Sequence, residues 1–160
     1  MWQWHDFWEL ASYVVTALGL PFAIVAFLYE RHKARDNDEE EAYQILSDAY
    51  NDFLKVVLAN PDLQLRSARN ISQRSPDQHE RVLIIFEMLI ALFERAYLVA
   101  YKAKMSAVER RRWNSWDDYM REWCRRDDFN DMLPLLLRGE DESFAQYIRQ
   151  LAEEERTRLV

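Results

Sequence analysis

The chain has 160 residues and a formal charge of −7, from 28 acidic and 21 basic side chains, which excludes a protein that coats nucleic acid with its whole surface; no DNA partner is expected. Aromatic residues make up 14% while there are only two glycines and four prolines, which excludes a disordered chain and predicts a packed, helix-rich fold. The single Cys124 cannot close an intrachain disulfide and fits a reducing cytosol.

The first predicted element is Leu10 to Tyr29, LASYVVTALGLPFAIVAFLY, which contains no Asp, Glu, Lys, Arg or His. As a helix its twenty residues would be about 30 Å long, the thickness of a bilayer's hydrocarbon core. A cleaved signal begins with basic residues, whereas this N-terminus is the acidic, Trp-rich MWQWHDFWE and the basic cluster follows the apolar run. The segment therefore reads as one retained transmembrane helix. Pro21, a breaker in a soluble helix interior, is tolerated in spans. Arg31, Lys33 and Arg35 form a basic collar behind the span, with His32 among them, and Asp6 and Glu9 precede it. Lys/Arg excess marks the cytoplasmic side, so the N-terminus is expected outside a bacterial inner membrane and the rest in the cytosol. Trp2, Trp4, Trp8 and Tyr13 would sit at the outer interface and Tyr29 at the inner one.

Ser12, Thr16, Gly19, Ala23 and Ala26 recur at steps of four, three, four and three, which makes one stripe of small residues along the helix. Close approach along small side chains favours pairing of helices in lipid, so the stripe is a candidate seam of a homo-oligomer, or of a pore lined by Ser12 and Thr16. The domain division expected is residues 1–35 for the N-terminal segment, span and collar, and 36–160 for a cytosolic domain. The fold class is all-α, a transmembrane helix followed by a bundle of four to five helices.

After the basic and acidic blocks of ERHKARDNDEEE, a helix is expected from Asp38 to Ala59, with Ala42, Ile45, Leu46, Ala49, Tyr50, Phe53 and Val57 at helical spacing. Asn60-Pro61 ends it, because the residue before Pro is pushed out of the helical region. Leu63 to Arg74 reads as a polar connection carrying Arg66, Arg69 and Arg74. Ser75-Pro76-Asp77-Gln78 then supplies an N-cap, a Pro at the first helical position and an N3 Gln. The helix it opens should run to about Lys104. Between Val82 and Tyr101 its only charges are Glu87, Glu94 and Arg95, enough to make spanning unfavourable and to predict a central bundle helix. Buried charges need partners, so these three form a possible buried ion pair.

Ser106 and Glu109 make a second capping box, opening a helix to about Arg126. Val108, Trp113, Trp116, Met120 and Trp123 form its apolar side and Arg110, Arg111, Arg112, Arg121, Arg125 and Arg126 its basic contrast. A short helix through Phe129, Met132, Leu133 and Leu136 should end near Gly139, and a last one should run from about Asp141 to Arg158.

Few residues carry a chemical signature. Arg74 and His79, with four residues between them at a helix start, resemble the R-x4-H motif of HEPN ribonucleases, all-helical proteins that cut RNA with paired Arg and His. The resemblance implies a His that moves a proton and an Arg that stabilises a charged phosphate, although Ser75 stands where that family usually has Asn, Asp or His. His5, His32 and His79 lack the convergent spacing of a metal site, and two glycines cannot build a phosphate-binding loop, so neither metal nor cofactor is expected.

The layout of one span followed by FERAYLVAYK, RRWNSWDDYMREW and PLLLRGEDESFAQYI also resembles small bacterial single-span proteins with a Trp-rich helical cytosolic domain. Some of these are encoded beside CRISPR or other antiphage systems and assemble into pores or disturb the membrane. The resemblance implies a membrane effector or pore-forming accessory. The alternatives are a membrane-tethered HEPN-like ribonuclease, with an RNA partner, and an adaptor that holds a cytosolic protein at the bilayer.

Overall fold

The computed structural model describes residues 27–31, 38–66 and 73–158. The chain divides into two units, Met1–Ala42 and Tyr43–Val160. In the first, residues 27–31 and 38–42 are helical. Of the expected span only Phe27, Leu28 and Tyr29 are described, helical and exposed; Leu10 to Ala26, including Ser12, Thr16, Gly19, Ala23 and Ala26, lies outside the described residues. Lys33 and Arg35 of the collar lie outside them as well, as do His5, His32 and Arg69, while Arg31 is helical and exposed. Among the described residues no helix is long and apolar enough to cross a membrane.

The described part of the second unit is all-helical, and its core is one contiguous cluster. Helix α1, which occupies 43–59 of this unit, buries Leu46, Tyr50, Phe53 and Val57, at steps of four, three and four. Ile45, expected on that face, is 59% exposed. At the helix end Asn60 donates from Nδ2 to the Val56 carbonyl at 2.9 Å, satisfying a last-turn acceptor where the chain leaves the helix before Pro61. A single 3-10 turn, Pro61–Leu63, follows, and Gln64 takes a positive φ of 49°. This corrects the expectation of a polar connection, because Leu63 and Leu65 are both buried and pin the turn to the core.

Helix α2 (Pro76–Ala100) begins with the expected capping box: the Gln78 amide N–H donates to Ser75 Oγ at 3.2 Å, and the Ser75 amide N–H to Gln78 Oε1 at 3.0 Å. It buries Val82, Ile85, Phe86, Leu89, Ile90, Leu92, Phe93 and Ala96, a face wide enough to meet α3, α4 and α5 together. The helix stops at Ala100, short of Lys104. Tyr101 turns extended and its ring packs against those of Trp113 and Tyr147, at 5.1 and 5.3 Å between centroids.

Helix α3 (Ala107–Cys124) starts on the Ser106–Glu109 box and turns Trp113, Trp116, Met120 and Trp123 inward, while Val108 stays exposed in the first turn. Trp123 sits edge-on to Phe53 and Phe86 and donates from Nε1 to Tyr50 Oη at 3.4 Å, tying α1, α2 and α3 at one point. Helix α4 (Asp127–Leu136) is short. Gly139, at φ +90°, makes the left-handed turn that follows, and Asp141 then caps α5 (Glu142–Arg158) by accepting from the Ser143 and Phe144 amides. Among α2 to α5, helices α3 and α5 share the most extensive packing.

Candidate functional site

Among the described residues, the buried charged side chains of the second unit lie in two clusters. The first forms where α3 passes into α4. Asp128, in the first turn of α4, accepts from Arg126 through both oxygens, at 3.0 and 2.7 Å, and from Arg74 Nη2 at 2.6 Å. Its Oδ1 also takes the Phe129 amide N–H, and Arg126 Nη1 donates to the Leu65 carbonyl at 2.7 Å. One carboxylate at a helix N-terminus therefore gathers the residue before the α2 cap, the turn after α1 and the α3–α4 junction. The side chains of Arg74, Arg126 and Asp128 are 3, 6 and 7% exposed.

This geometry places the Arg74 and His79 pair. Arg74 points inward to Asp128, while His79 is exposed on the first turn of α2 with Nδ1 3.1 Å from the Ser75 carbonyl of its own helix. The two side chains do not converge on a common point within the chain. The spacing that suggested catalysis serves a helix start and a buried ion cluster.

The second cluster joins α3 to α5. Glu155, 1% exposed, accepts from Arg121, Arg125 and Arg158 at 3.2, 2.7 and 2.8 Å. Burial opposes ionisation of Glu155, but the Arg125 and Arg121 hydrogen bonds, with the charges of Arg125 and Arg158, outweigh it and hold the carboxyl below its usual range. Arg121 also meets Asp117 at 2.7 Å and Glu154 at 2.8 Å. Asp117 accepts in turn from the Tyr147 hydroxyl, which receives Trp113 Nε1–H at 3.2 Å. Burial first, then the Asp117 carboxylate, pushes the Tyr147 hydroxyl well above the ordinary phenol range. Cys124, beside this network, is fully buried; burial and the nearby Glu155 charge raise its thiol to about 12, which disfavours the thiolate.

The expected buried ion pair of Glu87, Glu94 and Arg95 is corrected. Glu87 and Arg95 are exposed, because at their positions α2 faces away from its neighbours. Glu94 is half-buried and accepts the Asp141 amide N–H at the start of α5. There it meets a second acid: desolvation, then the hydrogen bond to Glu94 and its charge, raise Glu140 to about 7. Of the basic side chains in the α1–α2 connection, Arg66 pairs with Glu122 at 2.8 Å and lies 5.8 Å over the Trp123 ring.

Two surface depressions are each lined by one helix alone, one by Asp48, Asn51, Asp52 and Lys55 among others on α1, the other by Glu153, Glu154, Thr157 and Arg158 on α5. Neither brings groups from different elements to face one another, as a substrate site requires. The described residues form a helical bundle in which the buried charges join separate elements. No protein family, curated protein or solved structure matches the chain.

Proposed function

We propose that this chain is a single-pass inner-membrane protein, with the N-terminus outside and the helical domain in the cytosol. Its copies associate in the bilayer and act on the membrane as an effector or pore-forming accessory. The observation that carries this reading is the uncharged run Leu10 to Tyr29 with Arg31, Lys33 and Arg35 behind it. The stripe Ser12, Thr16, Gly19, Ala23 and Ala26 supplies the face on which spans would pair. The resemblance to single-span proteins encoded beside CRISPR and antiphage systems directs the effector toward defence.

The test is a membrane-potential dye followed on induction. The full chain depolarises cells, while deletion of residues 10–29 or the pair Gly19→Leu and Ala23→Leu abolishes the effect. A full chain that fractionates with membranes yet leaves the potential unchanged sinks the effector, and one found in the soluble fraction sinks the anchor.

A further inference from the structure

The exposed face of α2 carries an apolar stripe that the bundle does not cover. Ile84, Met88 and Leu98 are 47, 43 and 57% exposed, and Ala91 is exposed between them. With Arg95 these positions advance by four, three, four and three, which keeps them on one side of the helix. Single exposed apolar residues are ordinary, but a contiguous stripe marks a contact surface.

We infer that two copies of this chain pair through this face, with the α2 helices antiparallel about a two-fold axis at Ala91. Two pairs of positions on and beside the stripe are placed symmetrically about that residue. Glu87 and Arg95 lie four positions to either side of it, and Ile84 and Leu98 seven. Antiparallel pairing sets Glu87 of one copy level with Arg95 of the other, and Ile84 level with Leu98, each twice as a two-fold axis requires. Parallel pairing in register would set Glu87 beside Glu87 and Arg95 beside Arg95, like charge against like. The occupant is a second copy because both halves of the match lie on one helix; an unrelated partner would need its own complementary sequence. Among the described residues neither Glu87 nor Arg95 has an ion partner, so both are free to bridge the seam. At the centre Ala91 lets the helix axes close to about 8–10 Å, with the flexible Met88 filling the space beside it.

The pairing is independent of the span, and cysteine cross-linking of the full chain in detergent tests it. Ala91→Cys gives a disulfide-linked dimer on mild oxidation, because across the axis the two Cα atoms fall within the usual disulfide reach of about 4.4–6.8 Å. The native Cys124 is fully buried and stays silent. Ile84→Cys and Leu98→Cys link to each other when the two chains are coexpressed, and only weakly to themselves. In the Ala91→Cys background, Glu87→Arg lowers the cross-linked yield several-fold and adding Arg95→Glu restores it. The same restoration is seen when Gly19→Leu and Ala23→Leu are also present, which separates this contact from any seam in the bilayer. An Ala91→Cys chain that stays monomeric, an Ile84→Cys chain that links to itself as well as to Leu98→Cys, or a charge swap without rescue overturns the pairing.

Discussion

Glu155 shows how far a single side chain was hidden in the sequence. The charge-rich EEERTRL closes the predicted last helix without any apolar residue before Leu159, yet the third of its carboxylates is fully buried beneath three guanidinium groups. The apolar period of α5, Phe144, Ile148 and Leu151, continues by four to Glu155, and that continuation was the available signal. Asp128 carries no such local signal, since its partner Arg74, and the Leu65 carbonyl that Arg126 holds beside it, are distant in the chain. Removing the Glu155 carboxylate leaves Arg121, only 17% exposed, short of an acceptor in a partly desolvated site. Glu155→Ala should therefore cost about 3 kcal/mol, the lower end for breaking a buried ion pair, because Arg125 and Arg158 keep a face to water. Denaturant unfolding of the full chain in detergent measures it, and a loss under about 1 kcal/mol would show that the network is no stronger than exposed pairs.

At the scale of elements the sequence was legible wherever a capping box announced a helix. Ser75–Gln78 and Ser106–Glu109 both form, with each N3 side chain returning to its cap. Helix ends were less legible, because they are decided by distant rings: Tyr101 leaves α2 to pack on Trp113 and Tyr147, which no local pattern encodes. The turn after α1 escaped for a similar reason. Asp62 receives both terminal nitrogens of Arg81, at 3.2 and 2.6 Å, and Gln78 Nε2 at 3.2 Å, so the turn and the first turns of α2 hold each other. Ser75→Ala removes the cap that positions this start and should destabilise the fold by about 1 kcal/mol, while Ser75→Asp retains most of the stability. Thermal melts of the three chains check the order, and an alanine variant equal to the parent would mean that Arg81 and Asp62 alone define the start.

For the molecule as a whole, the carboxylates divide into two sets whose effects on stability oppose each other with pH. Asp62, held by hydrogen bonds from Arg81 and Gln78, and Glu109, held by Lys102 and the Ser106 amide, are each lowered to about 2. Their contribution is present above their unfolded values of 3.8 and 4.5 and is lost as pH falls toward 2. Asp141, Glu154 and Glu155 are lowered as well and act in the same direction. Glu140 acts the other way. Its folded value of about 7 lies above the ordinary 4.5, so the folded chain holds a proton there that the unfolded chain releases. That contribution is complete below pH 4.5 and is lost as pH rises through 7. The group responsible faces Glu94 of α2 from within the α4–α5 turn, and ionising both places two carboxylates together in a chain already carrying −7. Stability should therefore peak in mildly acid solution, with an alkaline limb between about pH 5 and 7.5 that belongs to Glu140. Glu140→Gln keeps the hydrogen-bonding shape without the charge, so its melting temperature should hold across that interval while the parent's falls, and both should fall alike below pH 4. An alkaline limb that survives in Glu140→Gln would assign the effect to charges elsewhere and remove the Glu94–Glu140 contact as its cause.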